Sequence, residues 1–173
     1  IILDENDGLV QHISTATKPQ IELTRTTRSG MRKFDYVYWG SPVTENVLTQ
    51  LDANATTPNA FDLKYKYVSG DTSSAGGWKF LDATVPGKGF IMRIAEQAPF
   101  TGTGTGSIDL KFTGTANNGD VQVAVDKVAG NDTSARNNNL LANPYPSAID
   151  AEKFLIENNS LVDGVNYLWR VNT

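Results

Sequence analysis

The chain has 173 residues, with 15 Lys plus Arg against 19 Asp plus Glu, a single His and no Cys. That length suits one domain with a sizeable core, and the absence of cysteine excludes disulfides, thiolate metal sites and cysteine nucleophiles. A formal net charge of −4 argues against a phosphate backbone as the main partner, because that task needs a basic surface, and no run of 18 apolar residues is present to span a membrane.

Thr, Asn and Gly number 18, 15 and 15, a composition of strands joined by tight turns. The opening reads as the interior of a longer polypeptide. Ile1, Ile2 and Leu3 form an apolar run, Asp4 to Gly8 turns, and Leu9-Val10-Gln11 resumes, with no initiating Met and no signal peptide. Residues 1–16 are therefore expected to be either the end of a preceding module or part of the domain that occupies 17–173. Gln20 to Thr27 alternates, with Ile21, Leu23 and Arg25 on one face. Phe34 to Trp39 is aromatic and β-branched and stops at Gly40-Ser41-Pro42. In Phe61 to Val68, alternation predicts a half-buried strand with Phe61, Leu63, Tyr65 and Tyr67 inward.

Gly70 to Gly77 is a polar loop, and strands are expected at Trp78–Leu81 and Gly89–Ile94. Thr101 to Gly106 alternates Thr and Gly, the composition of a flexible loop. Ser107–Thr113 and Asp120–Val128 are predicted to form a hairpin through Asn118-Gly119. Leu140-Leu141-Ala142 is a short apolar strand, and Val165–Val171 reads as a last strand. A single helix is predicted over 148–157, capped by Ser147 or Asp150. About nine strands and one short helix describe an all-β fold, an antiparallel β-sandwich of jelly-roll-like kind.

The chemical motifs are sparse. Gly102, Gly104 and Gly106 are spaced G-x-G-x-G and lead into a strand, whereas a dinucleotide loop needs G-x-G-x-x-G opening a helix. Asp4, Asn6 and Asp7 offer oxygen ligands for Ca²⁺, but Leu9 and Thr15 stand where an EF-hand loop needs Gly and Glu, and a plain turn accounts for them. His12 has no nucleophile motif near it. Paired carboxylates for glycoside hydrolysis depend on proximity in the fold. The aromatics Tyr36, Tyr38, Trp39, Tyr65, Tyr67, Trp78 and Trp169 are read first as core. The competing reading is a sugar-stacking platform, with Trp39, Tyr65 and Trp78 as its first candidates. Alternation places Tyr36 and Tyr38 opposite Val37 and Trp39, so at least one of these sets belongs to the core.

Four ordered blocks carry a resemblance. Met31 to Val43 contains Asp35-Tyr36-Val37-Tyr38-Trp39-Gly40-Ser41-Pro42-Val43, Val85 to Arg93 contains Gly87-Lys88-Gly89-Phe90-Ile91, and Phe112-Thr113-Gly114 precedes Asn117-Asn118-Gly119. Leu140 to Ala151 contains Asn143-Pro144-Tyr145-Pro146-Ser147-Ala148-Ile149-Asp150-Ala151, followed by Tyr167-Leu168-Trp169. From about residue 9 to the end, the chain resembles a module of large secreted and cell-surface Bacteroidetes proteins, adhesin-like cargo of the type IX secretion system. Their blocks read R-x-x-D-Y-x-Y-W-S-S-P-V, G-K-G-F/Y-I-x-R and N-L-I-G-N-P-Y-P-S-A-I-D-A, with Ala142 here in place of the last block's Gly.

The resemblance implies an extracellular setting on the bacterial surface and carries over no catalytic residue and no cofactor. It implies as partners the neighbouring domains of the same polypeptide and secretion or surface-attachment proteins. Asp71-Thr72-Ser73 and Asp132-Thr133-Ser134 are similar to the O-glycosylation sites of that phylum, which would place a glycan on Thr72 and Thr133, although Ser stands where an apolar residue is usual. The expected role is a non-catalytic spacer, adhesion or docking module. A module binding surface glycans is the alternative, and a glycoside hydrolase-like enzyme the third reading.

Overall fold

The computed structural model of the chain describes residues 1–11, 17–53, 59–71, 77–127 and 137–162. Among the described residues, seven strands and two short helices are formed: β1 (Ile2–Leu3), β2 (Gln20–Thr26), β3 (Tyr36–Trp39), α1 (Gln50–Ala53), β4 (Phe61–Tyr67), β5 (Trp78–Phe80), β6 (Phe90–Ile94), β7 (Asp109–Thr115) and α2 (Ala151–Glu157). They build an all-β sandwich of two sheets, ordered β1-β2-β7 and β3-β6-β4-β5. All pairings are antiparallel except β1 with β2.

The alternation of β2 works as read: Ile21 and Leu23 are buried and meet Gly114 and Phe112 of β7 across the ladder. On the other sheet, Val37 and Trp39 of β3 pair with Met92 and Phe90 of β6 and face the same core. The Trp39 ring lies 6.0 Å from Phe112 and so joins the two sheets through one aromatic contact. Val43, Val47, Leu51, Phe100 and Ile108 complete the core. Leu3 belongs to it as well, and the amino terminus donates to the Gln20 carbonyl.

The structure corrects several expectations. Residues 120–127 form no strand, and β7 pairs instead with β2, more than eighty residues away in sequence. Gly119 does take the positive φ (+76°) expected of Asn-Gly, but the turn leads towards Tyr145, whose hydroxyl donates to the Gly119 carbonyl at 2.7 Å. The predicted helix is shorter, Ala151–Glu157, because Pro144 and Pro146 hold its approach extended. Asp150 caps it, accepting from the Lys153 amide at 3.0 Å. Helix α1 was not expected, being too short for a periodic signal. Within the exposed Thr101–Gly106 segment, Gly102 has open space around it, whereas a Cβ at Gly104 would sit 2.1 Å from the Pro99 carbonyl oxygen.

The resemblance blocks converge in space. Asn117, 4% exposed, donates its side-chain amide to the Ser41 and Pro144 carbonyls, and its backbone amide to Pro42. Gly89 donates to Leu140 and Ala142 to Gly87. Segments 41–43, 87–89, 117–119 and 140–145 are thus tied into one cluster. At its centre a Cβ on Gly40 would lie 2.4 Å from the Ala142 Cβ, so only one of these two positions has room for a methyl group.

The free edge of β7 is covered by side chains. The Gln50 amide both donates to the Thr113 carbonyl (3.1 Å) and accepts from the Thr113 amide (3.2 Å). The Glu45 carboxylate accepts from the Thr115 amide at 2.7 Å and from its hydroxyl at 2.6 Å. Desolvation pushes Glu45 upward, but these bonds from Thr115, with others from its own amide and Thr44, outweigh it and hold the group below its ordinary value.

Two outcomes are expected. Gly40→Ala lowers the unfolding free energy in urea by about 1–3 kcal/mol, and adding Ala142→Gly restores most of it; strictly additive losses in the double variant would show that the contact is not shared. A depressed folded-state carboxyl contributes stability above its unfolded value that is lost as pH falls through the lower folded one. The melting temperature of the native chain therefore declines below about pH 4.3, and Glu45→Gln shows a shallower decline.

Candidate functional site

The site is the outer face of the four-stranded sheet, and its cause is one extra residue. Between Phe61 and Leu63 the β4–β6 register shifts: Phe61 opposes Ile94, while Leu63 already opposes Arg93. Asp62 is the additional residue of a β-bulge. Phe61 therefore points into the core, and from Leu63 onward the faces are exchanged. Tyr65 and Tyr67 turn outward, contrary to the alternation read from sequence.

Register places the remaining members. Tyr65 pairs with Ile91 on one side and Phe80 on the other, Tyr67 with Trp78, Tyr38 with Ile91 and Tyr36 with Arg93. Directly opposed residues share a face. Tyr36, Tyr38, Tyr65, Tyr67, Trp78 and Phe80 consequently line one surface across all four strands. The rings support each other: Tyr65 stacks on Phe80 with centroids 5.2 Å apart and planes 22° apart, and Tyr67 meets Trp78 edge-on at 5.1 Å. Phe80 at the edge is 71% exposed, whereas Ile91 at the centre is buried beneath its neighbours.

Arg93 anchors the surface. Its guanidinium makes two bonds to Asp62, at 3.0 and 2.7 Å, and lies 4.9 Å from the Phe34 ring centroid. The bidentate bond from Arg93 holds the Asp62 carboxyl below its ordinary value, and the same bond raises Arg93. Desolvation raises the Tyr38 phenol. Beside this, Lys33 pairs with Glu96.

The candidates from sequence divide accordingly. Tyr65 and Trp78 stand together on the outer face, but Trp39 lies on the opposite side of the sheet, against the core, and leaves the platform. Tyr36, Tyr38 and Tyr67, of the wider aromatic set, join it, as do Phe80 and Arg93, for which the sequence held no signal. Asp4, Asn6 and Asp7 sit in a turn whose carbonyls face a cation of the chain itself. Arg25 donates to the carbonyls of Asp4 (3.3 Å), Glu5 (3.1 Å) and Asp7 (3.0 Å). Among the described residues no group of three or more His, Cys, Asp or Glu is arranged to hold a metal ion. Thr72, Thr133 and His12 lie outside the described residues, as does the 165–171 strand.

A second concavity runs between Lys66, Tyr67, Asp82, Lys88 and Asp126. Its two carboxylates are Asp82 and Asp126. Lys66 binds Asp82 at 2.6 and 2.7 Å, and this bond holds the Asp82 carboxyl below its ordinary value. No helix among the described residues is long and apolar enough to cross a membrane.

No curated protein and no solved structure shows significant similarity to the chain. One family model matches, and it does so over residues 1–173. The chain belongs to the DUF8693 family, a domain of unknown function.

Proposed function

We propose that the chain is a non-catalytic, extracellular module of a secreted or surface-anchored bacterial protein, and that it works as an adhesion or docking unit. The observation that carries this reading is the aromatic outer face of β3-β6-β4-β5. A pure spacer gains nothing from six aromatic rings turned away from its core, and contiguous exposed apolar surface is characteristic of interaction sites. The setting rests on the resemblance blocks, which supply the secretion and surface-attachment partners and the neighbouring domains as the module's company. The non-catalytic reading is supported by the ion-paired state of Asp82 and of Asp62, the carboxylates nearest the rings.

Beads coated with the chain are expected to adhere to bacterial cell surfaces. The double variant Trp78→Ala/Phe80→Ala is expected to lower retention under flow by about tenfold or more. Because Phe80 is largely exposed, Phe80→Ala alone serves as a variant that keeps the fold, checked by its melting temperature. Equal retention of native and variant beads would remove the aromatic face from the function.

A further inference from the structure

We propose that the occupant of the aromatic face is an uncharged glycan chain, a polymer of neutral sugars lying across β3, β6, β4 and β5. This deepens the docking reading and rests on it. The first argument is electrical. The charged groups bordering the rings neutralise each other: Arg93 with Asp62 and Lys33 with Glu96. The face offers no net charge to steer or pair a charged partner, and the chain's overall −4 repels anionic polymers. Charge complementarity thus selects a ligand that is polar but uncharged.

The second argument is the chemistry of the surface. A pyranose ring has an apolar C–H face and a rim of hydroxyls. Tyr and Trp match both parts, giving a ring to stack on and a polar edge to hydrogen-bond. Among the described residues, no hydrogen bond engages the hydroxyls of Tyr36, Tyr65 or Tyr67. The third argument is preorganisation. Tyr65 is stacked on Phe80 and Tyr67 is propped by Trp78, so binding immobilises few new rotamers. The platform spans three strand spacings of about 4.8 Å each, the breadth of a short oligosaccharide rather than of a standard protein interface.

The test is affinity electrophoresis of the full chain in native gels containing xyloglucan, galactomannan, mixed-linkage β-glucan or dextran, with alginate as the anionic control. Sedimentation velocity of the same samples monitors self-association. Retardation is expected in at least one neutral gel and not in alginate. Tyr65→Ala and Trp78→Ala should each weaken it by about tenfold or more, and Phe80→Ala should weaken it with an unchanged melting temperature. No retardation in any neutral gel, retardation confined to alginate, or dimerisation abolished by Phe80→Ala would each overturn the glycan assignment. If the neutral gels show nothing while Trp78→Ala/Phe80→Ala beads still lose cell adhesion, the docking role stands and only the glycan falls. If both fail, the aromatic face is not a binding surface.

Discussion

The bulge at Asp62 decides what this protein presents to its surroundings. One added residue in β4 exchanges the two faces of the strand after Phe61, because the side-chain period of a strand is two. Without it, Tyr65 and Tyr67 would enter the core, and Lys64 and Lys66 would take the outer face. The displaced Asp62 is then available to grip Arg93 from the next strand, which fixes the cation beside the rings. A backbone irregularity and an ion pair thus cooperate: the first turns the aromatics outward, and the second neutralises the charge next to them.

What could be read from the residues follows from how far each signal reaches along the chain. Alternation in Gln20–Thr26 is local and regular, so the burial of Ile21 and Leu23 was legible, as was the split of Tyr36 and Tyr38 from Trp39. The Asp150 cap was among the options because capping needs only the next three residues. The bulge left no mark in Phe61–Tyr67, whose alternation is unbroken; it exists only relative to β6. Likewise Val121, Val123 and Val125 alternate as a strand would, yet β7 takes β2 as its partner, and pairing across that separation is decided by the whole core. An aromatic platform was among the readings of the residues, but its membership was not legible for the same reason. Its members come from four segments, and one of those segments is inverted by the bulge.

The motif blocks contribute both to the candidate site, through Tyr36, Tyr38 and Arg93, and to the scaffold behind it. Asn117 bridges Ser41 and Pro144, and Gly40 abuts Ala142. These residues knit loops at the margin of the sandwich, away from the outer aromatic face. The loop ends of the distinctive strings therefore hold the scaffold together, while their strands, with β4 and β5, carry the surface. The close approach of Gly40 to Ala142 leaves room for a single methyl group between the two loops.

The side-chain cover over β7 bears on what that edge offers to another chain. An uncovered strand edge is a template on which a second polypeptide can zip. Here Gln50 and Glu45 already satisfy the amides of Thr113 and Thr115, in effect a strand counterfeited by two side chains. That stretch of the β7 edge has little left to offer, so a second polypeptide gains no ladder there.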